Sequence, residues 1–259
     1  MSTRNPLIGD RFQLEVCAAS PHTCQIAAAA GANRVELCTA LVQGGTTPSY
    51  AAIVLARKVE GIALHVLIRP RAGDFVYTPQ EVQEMELDIR MARELGADGV
   101  VFGCLTPQGG YDYEANGRLL QAAQGMSVTF HRAFDAAADS KQLLEILISE
   151  GYRRVLTSGG YPNVTQGMHA LRDLVDRAAG RIGIMCGGGV RLDNLQQLIR
   201  TTGATQFHGT FKQMVPSASA FRHPAMKAEA VTIDPYAYQE GDGGQITGAV
   251  SLLKECARL

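Results

Sequence analysis

Short runs of apolar and β-branched residues alternate along the chain with longer amphipathic segments. The short runs predict strands at Phe12–Cys17, Arg34–Cys38, Ala63–Arg69, Gly99–Gly103, Ser127–His131, Arg154–Thr157, Ile182–Cys186 and Gln206–His208. Between them, apolar residues recur at helical spacing. Helices are predicted at Pro21–Ala30, Pro48–Val59, Pro79–Leu95, Tyr113–Ala123, Ser140–Glu150, Val164–Ala178 and Leu192–Thr201, with a last one at Ile246–Ala257. Pro21, Pro48 and Pro79 stand near helix starts, where a missing N–H costs little. Gly31, Gly96, Gly151 and Gly203 follow helix ends, where a left-handed residue ends the last turn.

Each connection between strands is long enough only for a crossover, so the strands are expected to run parallel. Eight parallel βα units close naturally into one (β/α)8 TIM-type barrel, taken as a single domain over residues 1–259. The rival is an open doubly wound sheet, and no GxGxxG follows the first strand to support it. Residues 210–245 separate the eighth strand from the last helix by more than a minimal barrel needs, and read as a lid, an oligomer contact or a surface arm. A homo-oligomer would use such an arm.

Composition narrows the partners more than the fold. With 259 residues, 46% apolar and 19% charged, the chain can bury a core without disulfides or metals. A net charge of −1 and scattered basic residues provide no field for nucleic acid. No apolar stretch is long enough to span a membrane and no secretory signal is recognisable, so a cytoplasmic location is expected. The six cysteines then read as reduced thiols.

In a barrel of this class the site forms where strands end and loops begin, so polar residues there carry the chemistry. Strand 1 ends in Glu15-Val16-Cys17 and strand 2 in Glu36-Leu37-Cys38, two E-x-C units 21 residues apart. Period-two alternation puts each Glu and Cys on one face, and strands about 4.8 Å apart bring the thiols of Cys17 and Cys38 close. Such a pair suits a soft metal such as Cu(I), or redox chemistry, although buried cysteines also serve as small apolar residues. Buried Glu15 and Glu36 need partners, and Arg69 and Arg71 after strand 3 are the expected ones, either as an internal network or as a clamp for an anion. His131 ends strand 5 with Arg132 and Asp135 beside it, an arrangement suited to general acid–base work. Ser158 follows strand 6, and Gly188 and Gly189 follow strand 7 before a helix. These positions let backbone amides approach a phosphate. None of the five lysines ends strands 1 to 7, which disfavours Schiff-base chemistry.

These segments together resemble the CutC family. The resemblance lies in LEVCAAS at 14–20, RVELCTALVQGGTTPS at 34–49, IRPRAGDFVYT at 68–78, VTFHRAFD at 128–135, RVLTSGG at 154–160 and GGGVRLDN at 187–194. It implies a TIM-type barrel and a cytoplasmic protein of copper homeostasis. It also implies that Cys17 and Cys38 are the Cu(I) ligands, with Cys104 or Cys186 as possible additions. Cys186 stands where members of the family often carry a small residue. The residues themselves leave a second reading open, an enzyme acting on a small phosphorylated or carboxylated metabolite. In it Glu15, Glu36, His131 and Asp135 would handle protons, while Arg69, Arg71, Arg132, Ser158, Gly188 and Gly189 would hold the anion.

Overall fold

Alternation along each strand decides which side chains meet the helices and which enter the barrel. In the computed structural model, which describes residues 8–9, 11–223 and 234–258, the strands are β1 (Gln13–Ala18), β2 (Arg34–Leu37), β3 (Ala63–Leu67), β4 (Gly99–Phe102), β5 (Ser127–Phe130), β6 (Arg154–Thr157), β7 (Gly183–Cys186) and β8 (Gln206–Gly209). They close in that order into one parallel barrel, with β1 hydrogen-bonded to both β2 and β8. The helices that cover it are α1 (Pro21–Ala29), α2 (Tyr50–Arg57), α3 (Pro79–Glu94), α4 (Tyr113–Ala122), α5 (Ser140–Ser149), α6 (Met168–Ala178), α7 (Leu192–Thr202) and α8 (Gly243–Ala257). The TIM-type barrel is therefore the observed fold, and the doubly wound alternative is excluded.

Outward-facing Leu14, Val16, Val35, Leu37, Val100, Phe102, Phe130 and Phe207 pack against the inner faces of the helices and form the main core. Each such side chain contributes roughly 1.5–3 kcal/mol on burial. The inward faces are different. Glu15, Arg34, Glu36, His65, Thr129, Arg154 and His208 are all buried there. The apolar residues at the mouth end form a small separate cluster of Cys17, Cys38, Leu67 and Val101. The barrel is thus filled largely by a polar network, and its glycines make room for it. A Cβ on Gly99 would come within 2.5 Å of His65 Nε2, and one on Gly183 within 2.4 Å of the Gln206 side chain.

The helix boundaries follow local chemistry. Ser20 caps α1 by accepting from the Thr23 N–H, with Pro21 in the first turn. Thr78 and Glu81 form a reciprocal capping box on α3. The helix expected from Pro48 instead begins at Tyr50, because Ser49 accepts from the Ala52 N–H and leaves Pro48 outside. The helix expected from Val164 begins at Met168. Gly31, Gly96, Gly151 and Gly203 all have positive φ at the turns after helices, as expected of glycine there.

The 210–245 segment is not structureless. It holds an antiparallel pair, β9 (Lys212–Pro216) and β10 (Ala237–Gly241). Residues 224–233, also within this connection, lie outside the described residues. Glu240 accepts hydrogen bonds from Ser20 (2.8 Å) and from Thr23, and the Gly241 N–H donates to Thr23 Oγ1 (3.2 Å). The hairpin is therefore fastened to the start of α1. Among the described residues, no helix is long and apolar enough to cross a membrane.

Candidate functional site

The register of β8, β1 and β2 assembles the centre. Glu15 lies opposite Arg34 on one side and His208 on the other, and Cys17 lies opposite Glu36. Glu15 is fully buried and accepts from Arg34 Nε and from His208 Nδ1, the latter at 2.7 Å. Burial alone would raise its pKa, but the Arg34 charge and the His208 hydrogen bond outweigh burial and hold the carboxyl well below its usual range. Glu15 is therefore an ionised anchor, and His208 Nδ1 carries the proton toward it. Burial would lower the pKa of His208, yet Glu36 and Glu15 raise it above the ordinary value.

Glu36 is placed differently. Burial pushes its pKa up to about 7, opposed chiefly by His208. Its Oε1 is buried with no hydrogen-bond partner. Its Oε2 accepts from the Cys17 thiol at 3.7 Å and lies 3.8 Å from His208 Nε2. Cys17 Sγ is 3.6 Å from Cys38 Sγ. Contact with Cys38, followed by burial, pushes the Cys17 thiol well above its ordinary pKa. The ligand atoms of Cys17, Glu36 and His208 lie within 4.8 Å of one another, which makes them a candidate metal-binding group. Deeper in the barrel, burial and the nearby Arg34 lower the Arg154 pKa to about 9. Arg154 donates to Ser127 and Thr129 there.

Above this centre lies a cavity of about 420 Å³ at the C-terminal ends of the strands. It gathers Cys17, Glu36, Arg69, His131, Arg132, Gly188, Gly189 and His208. A larger depression of about 610 Å³ occupies the opposite end, lined by residues such as Arg153, Gly183 and Gln206. We place the site at the first, because the clustered titratable groups and the unpartnered Glu36 oxygen are there.

Several expected residues take other places. Arg69 and Arg71 do not neutralise Glu15; Arg34 and His208 do, because they are its neighbours across the strands. Arg69 instead donates to the carbonyls of Gln43, Gly45 and Gly73 and stands over the Phe75 ring. Arg71 pairs with Glu81 at 2.5 Å and Asp74 at 3.1 Å, and so fastens the β3 loop to α3 rather than lining the cavity. Asp135 does not orient His131. It accepts from Thr157 Oγ1 (2.5 Å), the Ser158 and Gly160 amides (3.1 and 3.0 Å) and Arg132 Nε (2.8 Å), which fixes the turn after β6. The Ser158 hydroxyl is spent on Asp135, Arg132 and the Tyr161 carbonyl. Glu15 and Cys38 do not line the cavity, and Cys38 packs against Cys17. Cys104 and Cys186 pack in the outer core between barrel and helices, away from the Cys17–Cys38 pair, so they add no ligand.

Arg132, at the lip, lies against Gly188, whose added Cβ would come 3.2 Å from the guanidinium carbon. Glycine with φ +97° lets the charge and the backbone approach each other. His208 and Arg34 were not singled out from the sequence. The signal available was parity, since both share the inward face with Glu15 and Glu36.

The sequence model of the CutC family matches residues 12–213. A Porphyromonas gingivalis relative, named a family protein CutC, is 51% identical over 244 residues, covering 94% of this chain and 98% of its own. The mouse copper homeostasis protein cutC homolog is 42% identical over 218 residues, covering 84% of this chain and 80% of its own. The crystal structure of a Streptococcus agalactiae CutC, 40% identical, superposes with a TM-score of 0.74 over 77% of this chain and 98% of that one. Coverage this wide, at this identity and on one shared barrel, means that the chain belongs to the CutC family.

Proposed function

We propose that the protein handles copper in the cytoplasm, binding Cu(I) at the barrel mouth through the thiolates of Cys17 and Cys38, with His208 Nε2 as a third donor. One observation carries this reading: two buried sulfurs 3.6 Å apart, with the His208 imidazole within 4.8 Å of the Cys17 sulfur. Two sulfurs and an imidazole form a soft donor set, which favours Cu(I) over the hard cations. The name of the mouse relative supports the same direction. Both thiols must lose their protons to bind, so the raised Cys17 pKa makes apparent affinity rise with pH, by about tenfold per unit for each proton displaced. Anaerobic competition titration tests the site. Tight one-to-one binding to the wild type, lost in the Cys17→Ala/Cys38→Ala double variant, is the expected result. Equal binding by both proteins overturns the assignment.

A second reading is favoured by what copper leaves unused. The cavity wall also presents Arg69, Arg132 and the Gly188–Gly189 turn, a set suited to an anion. On this reading the mouth takes a small phosphorylated or carboxylated metabolite and Glu36 exchanges protons with it. Inorganic phosphate should raise the melting temperature of the wild type and not that of Arg132→Ala. No shift in the wild type would remove the phosphate part of this reading.

A further inference from the structure

His131 follows β5 and caps the short 3-10 turn Arg132–Ala136. Its Nδ1 accepts the Ala133 N–H at 3.3 Å. A backbone amide can only donate, so Nδ1 is the acceptor and the ring proton sits on Nε2. Burial, and then the nearby Arg69 charge, lower the His131 pKa to about 3, so the ring is neutral. The residue is 4% exposed and Nε2 has no hydrogen-bond partner. Arg69 has the same character. It is 6% exposed, its terminal nitrogens are occupied by loop carbonyls, and its Nε is buried without a hydrogen bond, as is the hydroxyl of Tyr77 beside it. Both residues line the mouth cavity. Both also flank one ring: the Arg69 guanidinium carbon is 5.2 Å from the Phe75 centroid, and the His131 and Phe75 centroids are 4.8 Å apart. The backbone makes room for each. A Cβ on Gly103 would be 3.0 Å from His131 Nδ1, and one on Gly44 would be 3.2 Å from an Arg69 terminal nitrogen.

Two buried donors without acceptors, fixed around one aromatic ring at the wall of a cavity, are costly unless something accepts from them. We propose that Arg69 Nε–H and His131 Nε2–H form a two-donor notch that holds a carboxylate oxygen of a small ligand. His131 serves there as a neutral donor and not as a general base. The notch refines the anion reading and rests on it for the phosphate end only, where Arg132 and Gly188 stand. The ligand class is therefore a short carboxylate, with room in the cavity for a phosphate at its other end. A neutral imidazole suits the role because its Nε2–H gives a hydrogen bond while Nδ1, its basic nitrogen, is held by the Ala133 amide.

The test uses the full chain and three probes: oxalate, 2-phosphoglycolate and inorganic phosphate. The variant is His131→Asn, because asparagine can keep the cap on the Ala133 N–H while deleting the outer donor. Calorimetry should show oxalate and 2-phosphoglycolate binding the wild type, each at least about tenfold weaker in the variant, with phosphate binding alike to both. Nitrogen NMR of the wild type at neutral pH should show His131 as the Nε2–H tautomer, with that proton moving downfield when oxalate is added. Carboxylate affinity unchanged in His131→Asn, or the opposite tautomer, overturns the notch while leaving the anion reading standing. Oxalate binding that depends on His131, with no phosphate binding, keeps the notch and removes the phosphate end. Failure of both carboxylates to bind the wild type also overturns the notch.

Discussion

Glu36 and Glu15 are chemically identical side chains on adjacent strands, yet the barrel holds them in opposite states. Glu15 has a guanidinium and an imidazole against it and stays ionised. Glu36 has a thiol and an unoccupied oxygen, and burial lifts its pKa to about 7 from an ordinary value near 4.5. An acid whose folded pKa is raised stabilises the fold below the unfolded pKa and loses that contribution as pH rises through the folded one. The protein is therefore expected to lose stability between about pH 4.5 and 7 on account of Glu36, by up to roughly 3 kcal/mol. Glu36→Gln should flatten this part of the profile, measured by urea unfolding across that window, whereas an unchanged slope would assign the loss to other groups. Arg34 makes the complementary case. Arg34→Ala leaves Glu15 as a buried carboxylate without its main counter-charge, which costs about 3–5 kcal/mol. A loss under about 1 kcal/mol would show that His208 suffices alone.

At the scale of the element, the strands and helices were largely legible because periodicity and caps are local. The strand predicted at Arg154–Thr157 is the observed β6, and most other boundaries shift by one or two residues. Helices α6 and α8 shift by more: α6 begins at Met168 rather than Val164, and α8 at Gly243 rather than Ile246, where Asp242 accepts from the Gly244 and Gln245 amides. Helix α2 starts late because Ser49, not Pro48, satisfies the free amides. The β9–β10 pair escapes the sequence pattern because its strands are short, exposed in β9 and half-buried in β10, and separated by a long stretch of chain. The capping box on α3 does double duty, since Glu81 also receives Arg71. Thr78→Ala should therefore cost about 1 kcal/mol of stability in thermal melts while leaving Cu(I) and anion binding as they are. A change in ligand affinity would mean that α3 shapes the mouth through Arg71.

At the scale of the whole molecule, the site was legible in part. Residue type and parity identified Cys17, Glu36 and His131 as inward or mouth-facing. Which residues pair could not be read that way. Glu15 meets His208, which is 193 positions away, and only barrel closure puts them together. Asp135, Arg71 and Ser158 looked like site residues for the same reason, since charged and hydroxyl groups at strand ends also brace turns. The polar lumen makes its own prediction. Gly99→Ala would push a methyl group to 2.5 Å from both His65 Nε2 and the Ser127 carbonyl. Overpacking of this kind typically costs about 1–3 kcal/mol, to be read as a lowered urea midpoint at unchanged slope. A neutral result would mean that both the His65 ring and the Ser127 carbonyl give way.

The link between Glu15 and His208 spans the seam where the last strand meets the first, and the hairpin fastening Glu240 to Ser20 and Thr23 crosses the same region, over separations of 217 to 220 residues. Neither exists in a chain whose ring is still open. Contacts of such separation form late in folding, because loop closure has to come first. The Glu15–His208 contact is thus a report on a late step of assembly. Cys17 and Cys38 come from neighbouring strands and can meet earlier, whereas the proposed His208 donor joins them only when the ring closes, so a ligand engaging it would hold the seam shut and raise resistance to unfolding with its concentration.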